Sequence, residues 1–186
     1  MEISENTALL LIDVQKYFDD PAHGRRNNPN AEENMARLLQ MWRKSNRPVI
    51  HIQHISKPSL AHHPGREIKE IVAPLPEEPL FIKNVNSAFI GTNLEKYLKD
   101  SEINTLVIAG LTTDHCVSTT TRMAKNLGFT PIIVSDATAT FDRVSFDGKL
   151  YRAEEIHQLA LVSLSDEFAT VLDTNGIVRL SCKQKG

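Results

Sequence analysis

A three-layer α/β/α sandwich, Rossmann-like, around a six-stranded, mostly parallel sheet of probable order 3-2-1-4-5-6 is the fold class that this sequence predicts. Three observations carry the prediction. Residues 7–14, 105–109 and 131–134 are mostly apolar runs, as strands buried on both faces are, and 48–53 reads as a further strand. Segments with helical spacing alternate with these runs, which requires parallel strands joined by right-handed crossovers. Two of the runs end in polar chemistry, Asp13 after the first and the stretch 110–117 after the run 105–109. In a doubly wound sheet these two strands are neighbours, and a crevice opens between them where the winding reverses.

Taken in order, residues 19–30 are polar and contain Pro21, Gly24 and Pro29, so they read as a loop. Met35, Leu38, Leu39 and Trp42 recur at i, i+3, i+4 and i+7, one face of a helix. After the strand at 48–53 comes a long irregular stretch, 54–80, with five prolines and the pair His62-His63; loops of this length tend to bind or cover ligands. Phe81, Ile82 and Lys83 make a short strand. Thr92 and Glu95 have the spacing of a capping box, with Leu94, Tyr97 and Leu98 as the buried stripe of the helix that follows. Gly110 is expected to open a turn, and Thr113 or Asp114 to cap the next helix, which runs to Leu127 and stops at Gly128. Ile156, Leu159, Ala160 and Leu164 predict a further helix, 168–172 the last strand, and the tail beyond Thr174 reads as short and polar.

Size and charge bound the function. The 186 residues suit one domain spanning 1–186, with no internal repeat or linker. With 21 basic against 23 acidic residues the chain has no electrostatic footprint for nucleic acid or an acidic membrane. No apolar segment approaches the ~20 residues that span a bilayer. The start of the chain lacks the features of a secretion signal, so a cytoplasmic location with both cysteines, Cys116 and Cys182, reduced is expected.

Cys116 falls in the first turn of a helix just past a strand, where unpaired backbone N–H groups favour a thiolate. A lone cysteine is more often a small buried hydrophobe, and a lone lysine such as Lys83 is often only a snorkelling side chain. The ordered set is more specific. Asp13 in Leu-Ile-Asp-Val-Gln, Lys83 in Phe-Ile-Lys-Asn-Val-Asn, and Cys116 in Gly-Leu-Thr-Thr-Asp-His-Cys-Val together resemble the isochorismatase-like cysteine hydrolases, which include nicotinamidases and N-carbamoylsarcosine amidase.

The resemblance implies a Cys-Asp-Lys triad that cleaves an amide, lactam or ureide C–N bond of a small molecule. Cys116 attacks, Asp13 carries the proton, and Lys83 holds both by charge. An ammonium at ~4 Å with an effective dielectric of ~20 contributes ~4 kcal/mol. Opposed by Asp13, it is expected to lower the thiol modestly from ~8.5. The resemblance further implies a cis peptide at Leu111–Thr112 and an oxyanion hole from the backbone N–H groups of Thr112 and Cys116. It implies no cofactor, and assembly as a homo-oligomer (dimer or tetramer) through helices beside the crevice, with apolar groups near Ile132 and Leu161 to serve.

Departures from the family bear on the ligand. Nicotinamidases carry an Asp-x-His and a further His for a metal after the second strand. Here His51-Ile-Gln-His54 has no such carboxylate, so no metal is expected. His51 is read as a core residue, His54 as a substrate contact, and Phe18 and Phe89 as candidate pocket walls; His157 is expected to pack or hydrogen-bond on its helix. Isochorismate-cleaving members as a rule lack the cysteine, which makes vinyl-ether hydrolysis the alternative reading. A non-catalytic binding or scaffold protein that keeps the crevice is the alternative of another class.

Overall fold

The computed structural model describes residues 3–56 and 63–182. Its sheet has the strands β1 (Ala8–Ile12), β2 (Val49–His54), β3 (Leu80–Lys83), β4 (Thr105–Leu111) and β5 (Thr130–Ala139). A two-stranded hairpin, β6 (Arg143–Val144) and β7 (Leu150–Tyr151), stands apart, and β8 (Thr170–Leu172) completes the main sheet. The order is β3-β2-β1-β4-β5-β8 and every pairing is parallel, so β8 takes the place of the sixth strand.

Alternation along β1 divides the core. Leu9 and Leu11 face α1 (Ala31–Lys44), with its stripe Met35, Leu38, Leu39 and Trp42. Ala8, Leu10 and Ile12 face the opposite layer, built from α2 (Leu94–Asp100), α3 (Ser118–Asn126) and α4 (Ala153–Leu164). Burial on both faces is why β1 reads as an unbroken apolar run. Trp42 keeps its indole N–H satisfied by donating to the Thr7 carbonyl at 2.9 Å.

Several local expectations are corrected. The tail, expected to be short and polar, forms a helix with an apolar contact: α5 (Thr174–Cys182) docks on the α1 layer through Ile177. Its start is fixed by Asp136, which accepts from both the backbone N–H and the hydroxyl of Thr174, at 2.7 and 2.8 Å. Gly110 does not open a turn but lies inside β4 at a register shift, with φ +135°. The Thr92–Glu95 capping box does not form; Thr92 donates to Ala88, and Glu95 pairs with Lys99 at 2.5 Å. On α4 the buried face is Ala153, His157, Leu161 and Leu164, whereas Leu159 is 64% exposed. Ile132 and Leu161, expected near a subunit contact, are core residues. The apolar side chains that α4 leaves exposed are Leu159 and Val162, at 64% and 60%.

A charge cluster ties the loops beside the carboxyl ends of the strands. Glu32 accepts from Arg26 at 2.7 Å and Lys69 at 2.7 Å, and Lys69 also meets Asp19 at 2.5 Å. Burial alone would raise the Glu32 carboxyl, but the bonds from Arg26 and Lys69 outweigh it and hold the group at about 2, against an ordinary 4.5. A depressed acid stabilises the fold above its unfolded pKa and loses that contribution as pH falls from about 4.5 toward 2. We expect Glu32→Gln to cost on the order of 2–3 kcal/mol at pH 7 and under about 1 kcal/mol near pH 2.5, read as urea midpoints at the two pH values.

Candidate active site

The expected trio converges at the carboxyl ends of the central strands. Asp13 directly follows β1 and has φ +52°. Lys83 ends the edge strand β3, in register with His54 at the end of β2. Cys116 lies in a π-helical turn, Thr113–Val117, between β4 and α3. Thr112 precedes that turn without a side-chain cap, and Asp114 does not cap it either: it accepts from Thr140 at 2.6 Å and Arg143 at 2.8 Å. Thr113 accounts for His157, whose Nδ1 lies 2.9 Å from the Thr113 hydroxyl oxygen, anchoring the turn to α4.

Lys83 Nζ donates to Asp13 Oδ2 at 2.7 Å and lies 3.3 Å from Cys116 Sγ. Asp13, Lys83 and Cys116 are 1%, 2% and 6% exposed. Lys83 is thus an internal cation and not a snorkelling one. His54 Nδ1 lies 3.5 Å from Sγ and 3.7 Å from Asp13 Oδ2. Asn86 Nδ2 completes the surround at 3.6 Å.

The expected lowering of the thiol pKa is overturned. Burial pushes the Cys116 thiol up to about 12, Asp13 adds to the rise, and the opposing pull of Lys83 is smaller. Counting only the two charges left out the cost of taking a thiolate out of water. Burial therefore favours the protonated sulfur, and a neighbour that takes the proton favours its ionisation. Asp13 Oδ1 is buried and accepts no hydrogen bond among the described residues.

Asp13 and Cys116 lie in the wall of a pocket of about 420 Å³, lined also by Phe18, His54, Thr112 and Phe141; Lys83 is bonded to both but buried outside the lining. Phe18 stacks on Phe141, with ring centroids 6.0 Å apart, to make an aromatic wall. Phe89 does not line it: the ring is 8% exposed and stacks on Phe129 in the core. His51 is buried and 2.8 Å from Glu78 Oε2. His63 caps its own turn by accepting from Gly65, and His62 lies outside the described residues.

The peptide Leu111–Thr112 is cis. Donor atoms of Asp13, His54 and Cys116 all lie within 4.8 Å of one another, a span that one metal ion could bridge. Lys83 already donates to the first and the last, so an ion there would face an ammonium. The donor set suits proton transfer better than metal binding.

Reading the sequence missed three participants. Gln15, two positions past Asp13, bonds the backbone of His54 through both ends of its amide, at 2.8 and 3.2 Å. Asn86 is three residues past Lys83, a spacing that could have pointed to it. Phe141 gave no signal.

Residues 7–176 match the family model described as the isochorismatase domain. The chain is 52% identical over 180 residues to the isochorismatase family protein YrdC of Bacillus subtilis, covering 95% of this chain and 96% of that protein. With nicotinamidase 3 of Arabidopsis thaliana it shares 28% identity over 194 residues, 95% of this chain and 89% of the other. A crystal structure of an isochorismatase-family protein from Chromobacterium violaceum superimposes with a TM-score of 0.91 at 40% identity, covering 95% and 94% of the two chains. Among the described residues no helix is long and apolar enough to cross a membrane. Agreement of this extent, in sequence and in architecture, makes the chain a member of the isochorismatase family of hydrolases.

Proposed function

We propose that the protein is a cysteine hydrolase that cleaves a C–N bond of a small amide, lactam or ureide through a thioester on Cys116. One observation carries the reading: a buried lysine bonded to a buried carboxylate, with the pocket-lining thiol of Cys116 3.3 Å from its amine. The likeness to a relative named nicotinamidase supports an amide substrate.

Burial of the sulfur beside a carboxylate favours a concerted order of events. Sulfur attacks the carbonyl carbon as its proton passes to Asp13, so no free thiolate accumulates. Lys83 offsets the negative charge that is shared between sulfur and carboxylate. The backbone N–H groups of Thr112 and Cys116 hold the carbonyl oxygen as it becomes anionic. Asp13 then gives its proton to the departing nitrogen. In the second half it takes a proton from water, which hydrolyses the thioester and restores the thiol. His54, with Nε2 free of partners among the described residues, is the substrate contact nearest the sulfur. The reading carries with it a reducing, cytoplasmic setting, where such a thiol persists.

A panel of amides, lactams and ureides, with isochorismate beside them, tests it. Wild-type protein quenched during turnover should show the acyl mass on the peptide that contains Cys116, and Cys116→Ala should lose both the adduct and activity. Full activity in the alanine variant excludes the thiol as nucleophile. Turnover of isochorismate alone, without an adduct, would favour the vinyl-ether reading instead.

A further inference from the structure

Charge on the pocket wall is almost all committed. Asp13 takes Lys83 at 2.7 Å, and Arg143 donates to Asp114 at 2.8 Å. Asp142 accepts from Arg25 at 3.3 Å and Arg152 at 2.8 Å. Arg66 is the exception. It lines the pocket, yet among the described residues its guanidinium makes no hydrogen bond or close ion pair, and the adjacent acid whose charge it feels, Glu67, is itself bonded to Lys16 at 2.8 Å. Residues 57–62, Lys-Pro-Ser-Leu-Ala-His, contain no acid that could answer it.

The backbone that carries this cation is built with care. The Arg66 carbonyl accepts from Gln15 Nε2 at 2.8 Å and from Gln53 Nε2 at 2.7 Å. Both glutamines are buried, at 4% and 9% exposure. Two buried amides, each costly unless bonded, converge on one carbonyl. Gln15 also bonds the backbone of His54, and His54 touches Cys116. Arg66 is therefore held in one frame with the sulfur while its fork of donors is left unspent. In the same pocket, stacked Phe18 and Phe141 offer a flat apolar face.

The geometry points to Arg66 as the anchor for a carboxylate on the substrate, so that the hydrolase takes a flat or aromatic acid bearing the scissile C–N group. This rests on the hydrolase reading above only for what happens at the sulfur; the anion site stands on the unpaired guanidinium and its tethers. A planar five-donor fork suits a carboxylate in bidentate fashion. An exposed loop position lets the residue be changed without disturbing the core.

Calorimetric titration of the whole protein with benzoate and with benzyl alcohol, equal in shape but differing in charge, tests the assignment. Benzoate should bind at least about tenfold more tightly, as a charge-assisted pair gives, and Arg66→Gln should remove that preference. Equal affinity, no benzoate binding, or a preference that survives Arg66→Gln overturns the proposal. Cys116→Ala should leave the preference intact. An active Cys116→Ala protein would therefore sink the nucleophile reading without touching the anion site, and the two failures are distinguishable.

Discussion

Lys83→Met should strip the protein of both activity and much of its stability, and Asp13→Asn added to it should restore the second without the first. The side chain of Lys83 is fully buried against that of Asp13, which is itself 2% exposed. Removing the ammonium leaves a carboxylate with no countercharge in a dry site, a loss of about 3–5 kcal/mol. That is a large part of the ~5–15 kcal/mol that holds a domain together. Neutralising the carboxylate as well removes the unpaired charge, so the double variant should recover most of the midpoint lost in urea. Turnover should not recover. Without Lys83 the thiol is pushed further up, since the attraction that lowered it is gone, and without Asp13 the carboxylate that takes its proton is gone. A fall of about a hundred- to a thousandfold, or more, is expected in each variant. A double variant no more stable than Lys83→Met would mean that the pair does not carry the stability ascribed to it.

Gly110→Ala is expected to be the most damaging single methyl group in the chain. A Cβ at this position would stand 2.0 Å from the Ile12 carbonyl oxygen and 2.7 Å from the Ile12 nitrogen. Both are backbone atoms of the neighbouring strand, paired with Gly110 in register, so no flexible side chain can move aside. The φ of +135° adds a conformational cost for any L residue. Together these should remove on the order of 3 kcal/mol or more. Gly128→Ala is the control: its φ is +92° but a Cβ meets nothing within 4 Å, so only the backbone cost of about 1 kcal/mol remains. Comparable urea midpoints for the two variants would refute the close-approach argument. Gly110 also faces the residue just before Asp13, so prising β1 from β4 should part the carboxylate from the sulfur. Activity should fall further than stability alone requires.

What the sequence showed and what it hid follow from the range of the forces involved. Strands buried on both faces announce themselves as runs of aliphatic residues, which is why β1, β2, β4 and the start of β5 could be read directly. The trio was legible because each member sits where an apolar run ends. α5 was hidden since its decisive contact is with Asp136, 38 positions away. The hairpin β6–β7 has two residues to a strand, too few to show any period. Leu159 misled because hydrophobicity alone does not say which side of α4 meets the sheet. Phe89 looked as suitable for a pocket as Phe18, and only packing against Phe129 separates them. The state of the thiol escaped for a related reason: desolvation depends on everything around the sulfur, and no local motif records that.

The ionic knot of Glu32 with Arg26 and Lys69 has a practical corollary for anyone who would redirect this enzyme. Asp19 and Arg26 belong to one rim segment and Lys69 to the other, which also carries Arg66, so the two segments are stitched together by charge. Transplanting either from a relative by itself would strand a half-buried acid or base. The two must be exchanged as a matched set, while the chemistry beneath them, carried on strand ends, can be left as it is.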